Sequence, residues 1–109
     1  MFDLTPAQIA TLERLLTAGF HPVKFPLYEN AIGIAAGNCA ALLKPTAEGA
    51  LGLLAAPSFI IDNNLTVRIR RNGKHWFVWK KKELEVTAER QAELENFTAR
   101  LESLLRPPS

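Results

Sequence analysis

The two ends of the chain carry apolar residues at helical spacing, whereas the segment between them follows the shorter period of β-strands. Near the N-terminus, Ile9, Leu12, Leu15 and Leu16 fall on one stripe of a helix that we predict over residues 5–18. A threonine, a proline and a glutamine mark its start in the order of a capping box, and a glycine marks its end. These signals agree with one another and predict a short helix with defined ends.

A second helical stripe lies near the C-terminus. Leu94, Phe97, Leu101 and Leu104 recur at intervals of three and four residues, which predicts a helix over residues 87–105. Polar and acidic residues occupy the positions between them, as in a helix that packs one side against a core. The stripe also matches two heptads of a coiled coil, but two heptads are too few for that assignment, so we expect packing on a sheet.

Residues 31–80 are predicted to form an antiparallel sheet, after a short extended or loop segment over 23–30. A first hairpin is centred on residues 37–38, with a short helix over 38–43 as the alternative, because alanine favours helices over strands. Two further strands are predicted, at 51–54 and at 58–61, and a three-residue connection at 62–64 follows the second. Its asparagines are able to adopt the left-handed geometry that such connections require.

The strongest local signal is a hairpin over residues 65–80, where two β-prone runs flank an Asn-Gly dipeptide at 72–73. A two-residue turn at this dipeptide sets the register: Arg71 lies opposite Lys74, and each earlier residue of the first strand lies opposite the next residue of the second. Side chains alternate between the two faces of a strand. The register therefore divides the hairpin into an apolar face and a face on which basic and aromatic residues alternate.

We expect the apolar face of this hairpin to pack against the helices. Its members are Leu65, Val67, Ile69, Trp76 and Val78. The opposite face contains Thr66 and the candidate binding residues Arg68, Arg70, His75, Phe77 and Trp79. That face is unusual for a surface because it exposes aromatic rings. It is also unusual for a core, because burying an unpaired arginine costs several kcal/mol.

Three interpretations of the Arg/aromatic face compete. In the first, arginine stems cover the rings or the acidic C-terminal helix lies nearby, and the surface has no partner. In the second it is a protein interface, most simply a homodimer, because tryptophan and arginine are enriched at hot spots. In the third it binds single-stranded nucleic acid, with bases stacked on Phe77 and Trp79. Arg68 and Arg70 would then track phosphates, and the lysines at 80–82 would extend the charge.

Composition narrows the classes of function. The chain has 109 residues, 48% hydrophobic and 22% charged, which fits a single globular domain over 1–109. A formal net charge of +2 is too small to indicate a polyanionic partner. The positive charge is nevertheless concentrated at 67–82, and glutamates follow at 83–105. We expect these two segments to neutralise each other in the fold.

The candidate chemistry is sparse. Cys39 is the single cysteine, so no intrachain disulfide forms and a reducing compartment is indicated. The chain has neither a signal-peptide pattern nor an apolar run of membrane-spanning length, so we predict a cytoplasmic location and no membrane partner. Cys39, His21 and His75 lack the spacing of a zinc site. No nucleophile or phosphate-binding motif is present, so we predict no metal, cofactor or catalytic residue.

Together these observations predict an α+β domain in which an N-terminal helix, an antiparallel β-meander and a C-terminal helix follow one another. The helices form a single layer on one face of the sheet. The predicted function is non-catalytic binding, by protein or homodimer contact at the Arg/aromatic face. A weak single-stranded nucleic-acid binder that uses the basic hairpin over 65–82 is one alternative, and a small enzyme with a site built from loops is another.

Overall fold

The computed structural model describes residues 4–25 and 31–105, and it has the predicted α+β fold. The helices are α1 (Pro6–Thr17) and α2 (Ala88–Leu105). The strands within the described residues are β1 (His21–Val23), β2 (Ile32–Ala36), β3 (Cys39–Pro45), β4 (Leu51–Leu53), β5 (Ser58–Ile61), β6 (Asn64–Leu65), β7 (Val67–Arg71), β8 (Lys74–Trp79) and β9 (Lys82–Glu85). The order of an N-terminal helix, an antiparallel meander and a C-terminal helix is confirmed.

Helix α1 is closed at both ends by the residues that the sequence marks. Thr5 Oγ1 accepts a hydrogen bond from Gln8 N at 3.2 Å, and Gln8 Oε1 accepts one from Thr5 N at 2.9 Å, which completes the capping box. At the other end Gly19 has a φ of 99°. Phe20 N then donates to Leu15 O at 3.0 Å, as in a Schellman motif, and directs the Phe20 ring into the core.

The strands pair antiparallel throughout and form two sheets. The larger sheet has the order β1-β2-β3-β5-β6, with β4 also paired to β3, and the smaller has the order β7-β8-β9. The β2–β3 hairpin turns at residues 37–38 as predicted, so the alternative of a short helix over 38–43 is wrong. Ala40 and Ala41 lie on opposite faces of β3 and are both fully buried. Small side chains are favourable there because both faces of this strand are covered.

One bent segment connects the two sheets. Strand β6 pairs with β5, and the next residue, Thr66, continues this pairing because its N–H donates to Phe59 O at 3.0 Å. From Val67 onward the chain pairs with β8 instead. Since Thr66 is the residue between these two pairings, the meander bends there and continues into the smaller sheet.

The turn between β5 and β6 is shorter than predicted. Asp62 and Asn63 have φ values of 51° and 59°, which is the left-handed geometry of a type I′ hairpin turn. Asn64 already belongs to β6, so the predicted three-residue connection at 62–64 is a two-residue turn. Both central residues are of the types that adopt left-handed geometry at low cost.

Two strands lie outside the predicted sheet. Strand β1 pairs with β2, and β9 pairs with β8. Strand β1 contains Pro22 and lies at a sheet edge, where proline is tolerated, while β9 is short and mostly charged. Strand β1 is too short to show the alternation that indicates a strand, whereas Glu83, Leu84, Glu85 and Val86 do alternate, a short signal that the prediction did not include. Part of the extended or loop segment predicted over 23–30 lies outside the described residues.

Both helices pack on the same face of the larger sheet, as predicted. The core on that face joins Leu15 of α1 and Leu101 of α2 to Ile34 and Leu43 of the sheet. The opposite face is covered by a cluster without helical residues, which comprises Phe25, Ala35, Ala40, Leu42 and Leu65. The sheet is therefore buried on both sides but carries helices on only one.

The C-terminal ends of the two helices are joined by arginines. Arg14 Nη2 of α1 donates to Leu104 O at 3.3 Å, and Arg100 Nη2 of α2 donates to Ala18 O at 2.7 Å. Each guanidinium thus satisfies a carbonyl at the end of the other helix, where positive charge is favourable. The Arg100 guanidinium also lies 4.9 Å from the centroid of the Phe20 ring.

Candidate interaction surfaces of the three-stranded sheet

The register of the β7–β8 hairpin is the one that the sequence predicts. Arg71 pairs with Lys74, and the remaining pairs follow back to Val67 with Val78. The turn residues Asn72 and Gly73 have φ values of 54° and 77°, as a type I′ turn requires. The division of side chains between the two faces is therefore also the predicted one.

The prediction of which face is buried is wrong. Phe77 is 0% exposed, and its ring stacks on that of Phe59 with centroids 4.6 Å apart and an interplanar angle of 13°. Val67, which was expected in the core, is 59% exposed. The face that carries Phe77 packs inward because its ring has a stacking partner in Phe59 of β5.

The arginines of this inner face avoid the cost of burial because they lie on an edge strand. Arg68 and Arg70 are both exposed although their face packs inward. Arg68 Nη1 donates to Gln91 Oε1 of α2 at 2.9 Å, so its charged end is hydrogen-bonded at the protein surface. His75, the neighbour of Arg70 on β8, is exposed as well.

Trp79 lies apart from these residues, at the end of β8. Its ring is half-buried, and Lys80 Nζ lies 5.5 Å from the ring centroid. Lys82 Nζ lies 2.6 Å from Asp62 Oδ2. These side chains border an open cavity of about 460 Å³, lined by Asp62, Asn64, Trp79, Lys80, Lys81 and Lys82. The five candidate binding residues therefore occupy three places: the core, the β7 edge with adjoining β8, and this cavity.

The face of the three-stranded sheet that points away from the core is partly apolar. We call it the outer face, and its apolar members are Val67, Ile69, Trp76 and Val78. Val67 is exposed and the other three are half-buried. Sequence reasoning recognised this set as apolar but placed it in the core.

Ion pairs cover part of the outer face. Arg71 Nη2 lies 2.6 Å from Glu83 Oε2, and the same guanidinium lies 5.4 Å from the centroid of the Trp76 ring. The hydrogen bond from Arg71 lowers the pKa of Glu83. Lys74 Nζ lies 3.5 Å from Glu85 Oε1. Within the described residues, the hairpin's ion pairs are thus made with β9 and not with the glutamates of α2.

A groove of about 710 Å³ lies beside β7. Its walls are the chain around residues 55–58, the segment 65–68 and one side of α2. The buried hydroxyls at its base are satisfied, because Thr66 Oγ1 donates to Phe59 O at 2.7 Å and lies 2.8 Å from Ser58 Oγ. The lining comprises Ala55, Ala56, Pro57, Ser58, Leu65, Thr66, Val67, Arg68, Gln91, Leu94, Glu95, Thr98, Ala99 and Glu102.

Within the described residues, one edge of the β7 backbone has no partner strand. Arg71 and Lys74 flank the two-residue turn and form a hydrogen-bonded pair, so the backbone groups of Val67, Ile69 and Arg71 point toward β8. The groups of Arg68 and Arg70 therefore point outward. The backbone groups of β8 alternate in the same way. His75 O points away from β7 and accepts a hydrogen bond from Val86 N at 2.9 Å.

Cys39 does not have the environment of a reactive thiol. Its side chain is fully buried, and Glu93 Oε2 lies 4.0 Å from Cys39 Sγ while accepting a hydrogen bond from Asn38 N at 3.2 Å. Burial, and to a lesser degree the Glu93 carboxylate, raises the pKa of the Cys39 thiol to about 12. Across the described part of the chain, no group of three or more His, Cys, Asp or Glu side chains is placed to hold a metal.

No family model matches this chain, and no curated protein or solved structure shows significant similarity to it. Among the residues that the structure describes, neither helix has the length and apolar character needed to cross a membrane. Any functional assignment therefore rests on the chemistry of the surfaces described above.

Proposed function

We propose that this chain is a non-catalytic interaction domain that forms a homodimer through the outer face of its three-stranded sheet. The observation that carries this proposal is the row of apolar side chains on the solvent side of β7 and β8, with Val67 59% exposed. Contiguous apolar surface rimmed by charged groups is typical of protein contact sites. The protein contact predicted from the sequence is retained, but on the opposite face of the hairpin, because Phe77 belongs to the core.

A second copy of the chain suits this face because its charges are balanced. Arg71 and Lys74 lie toward the hairpin turn, whereas Glu83 and Glu85 lie on β9. In a dimer with two-fold symmetry the same patch meets itself, so a surface with charges of one sign would repel its copy. A surface with both signs can place the basic end of one copy near the acidic strand of the other.

The test is the mass of the protein in solution, measured by light scattering over a range of concentrations at low and high salt. Val67→Lys places a charge within the proposed contact without disturbing a buried site. Ile9→Lys, at a position of α1 that is 45% exposed, is the matched control. We expect wild type and Ile9→Lys to dimerise at both salt concentrations and Val67→Lys to be a monomer. A monomeric wild type, or a dimer indifferent to Val67→Lys, would contradict the proposal.

The cavity beside Trp79 favours a second candidate function, weak binding of single-stranded nucleic acid. An aromatic ring surrounded by three consecutive lysines offers both base stacking and phosphate contacts. An oligothymidylate titration followed by tryptophan fluorescence tests this function. Binding that weakens steeply with salt and is lost in a Lys80→Glu/Lys81→Glu variant supports it. Unchanged fluorescence at low salt excludes it.

A further inference from the structure

We propose that the free edge of β7 accepts an extended segment of another protein, which adds to the sheet as an antiparallel strand and carries carboxylates at two alternate positions. The site is the backbone edge at Arg68 and Arg70 with the adjoining groove. It borders the outer face at Val67 and Ile69, but it uses the outward-pointing backbone groups of β7 and does not depend on the homodimer. Strand addition at an exposed sheet edge is a recurring way in which domains bind peptides.

The edge offers the hydrogen-bonding groups that strand addition needs. The N–H and C=O groups of Arg68 and Arg70 point away from β8, and no strand among residues 4–25 and 31–105 pairs with β7 on that side. An antiparallel partner would exchange a pair of hydrogen bonds with each of these two residues. The chain just before β7 already makes an antiparallel pair on this side, since Thr66 N donates to Phe59 O of β5.

The position beside β7 is vacant because the chain that could fill it turns away. If the β5–β6 register continued backward, Pro57 would lie opposite Arg68. Proline has no N–H to donate, so this residue cannot complete the hydrogen-bonded pair. Strand β5 starts only at Ser58, and residues 55–57 instead form a wall of the groove. An incoming segment would run parallel to β5. It would continue along β7 the antiparallel pairing that β5 makes with β6.

A second copy of β7 is an unsuitable occupant of this edge. In every antiparallel self-pairing that uses the outward-facing residues, an arginine at position 68 or 70 lies opposite another arginine. Like charges directly opposite each other destabilise a strand pair, and charged edge strands are a known protection against self-association. The same charges favour a partner with carboxylates at the positions opposite Arg68 and Arg70. Within the described residues, neither arginine has a carboxylate at ion-pair distance.

The surroundings of β7 on its outer and inner faces indicate which residue types suit the other positions of the partner segment. Between the carboxylates, the partner's side chains would point to the outer side, next to Val67 and Ile69, where β-branched apolar residues pack well. The two carboxylates lie on the inner side together with Arg68 and Arg70, and Glu95 and Glu102 line the far wall of the groove on that side, so a third carboxylate there would be unfavourable. The preferred segment is therefore short, with acidic and apolar residues in strict alternation.

The probe is the blocked peptide Val-Glu-Val-Glu-Val, titrated into the intact protein and followed by NMR and by amide hydrogen exchange. We expect exchange at the amides of Arg68 and Arg70 to slow on binding. The amides of Val67, Ile69 and Arg71 already face β8 and should change little. Val-Lys-Val-Lys-Val is the charge control, and the same acidic peptide with N-methylated glutamates is the hydrogen-bond control. Neither control peptide should bind.

Arg70→Glu should weaken binding of the acidic peptide by about tenfold or more, whereas Lys74→Glu, on the adjacent strand and the outer face, should not. Equal binding of the N-methylated peptide would show charge attraction without strand addition and would overturn the proposal. Absence of binding of the acidic peptide would overturn it as well. Both results are independent of the light-scattering outcome, because a monomeric protein still has this edge.

Discussion

Replacing Phe77 by alanine removes the buried ring with which β8 joins the main core. The ring is fully buried, stacks on Phe59 and belongs to the same cluster as Leu15 and Phe97. Sequence reasoning alone placed this residue on a binding surface, where its loss would leave stability almost unchanged. The structure predicts the opposite, so the variant discriminates between the two placements of the hairpin.

The expected cost follows from the burial of the ring. Truncating a buried phenylalanine to alanine lowers the free energy of unfolding by about 3–5 kcal/mol, of which the stacked pair with Phe59 accounts for about 0.5–1.5 kcal/mol. Domains of this size are stable by about 5–15 kcal/mol, so Phe77→Ala should still fold. Phe77→Leu keeps most of the volume and loses mainly the ring stacking, so its cost should be about 0.5–1.5 kcal/mol.

Urea unfolding followed by circular dichroism measures these differences. At an m value of about 1.5 kcal/mol per M urea, a loss of about 3–5 kcal/mol in Phe77→Ala should lower the midpoint by roughly 2–3 M urea. Val67→Ala, on the same hairpin but 59% exposed, is the matched control and should cost less than about 1 kcal/mol. If Phe77→Ala and Val67→Ala were equally stable, the inward orientation of Phe77 would be refuted, and the interaction surfaces would have to be reassigned.

Three further predictions concern the rest of the fold. Gly33→Ala should lower the free energy of unfolding by about 1–3 kcal/mol, because an added Cβ would lie 2.3 Å from Val23 O across the β1–β2 pair; thermal unfolding would show it, and an unchanged midpoint would contradict it. Thr5→Ala should cost about 0.5–2 kcal/mol through loss of the capping box, whereas Thr5→Ser should restore most of it in the same assay. The Cys39 thiol should resist alkylation at neutral pH in the folded protein and react in urea. Because its pKa is raised from 9.0 to about 12, the folded state binds the proton more tightly, and stability should fall as the pH rises above about 9; rapid alkylation of the native protein would refute this.

The features that the sequence predicted correctly are those decided by neighbouring residues. Thr5 and Gln8 complete the cap of α1 within one helical turn, and the dipeptide at 72–73 sets the hairpin register by itself. Both outcomes depend on local hydrogen bonds and backbone geometry. They hold whatever the rest of the chain does.

The orientation of the hairpin could not be predicted in the same way. Alternation shows that the two faces differ, but the buried face is decided by Phe59, a residue of another strand that supplies the stacking partner of Phe77. The polar end of Arg68 is likewise accommodated by Gln91 of α2. Strand β9 was missed although Leu84 and Val86 alternate with Glu83 and Glu85, because the run is short and follows three lysines; its two glutamates make the ion pairs of the outer face.

The arginine contacts between the helix ends have a consequence for how the chain reaches its native state. The hydrogen bonds from Arg100 to Ala18 and from Arg14 to Leu104 span 82 and 90 positions of sequence. During synthesis, α1 leaves the ribosome long before α2 exists, so it has neither its packing partner nor the group that satisfies its last carbonyl. Contacts between such distant positions slow folding. The final assembly of this domain therefore waits for its last helix, and α1 gains its packing partner only after α2 has been synthesised.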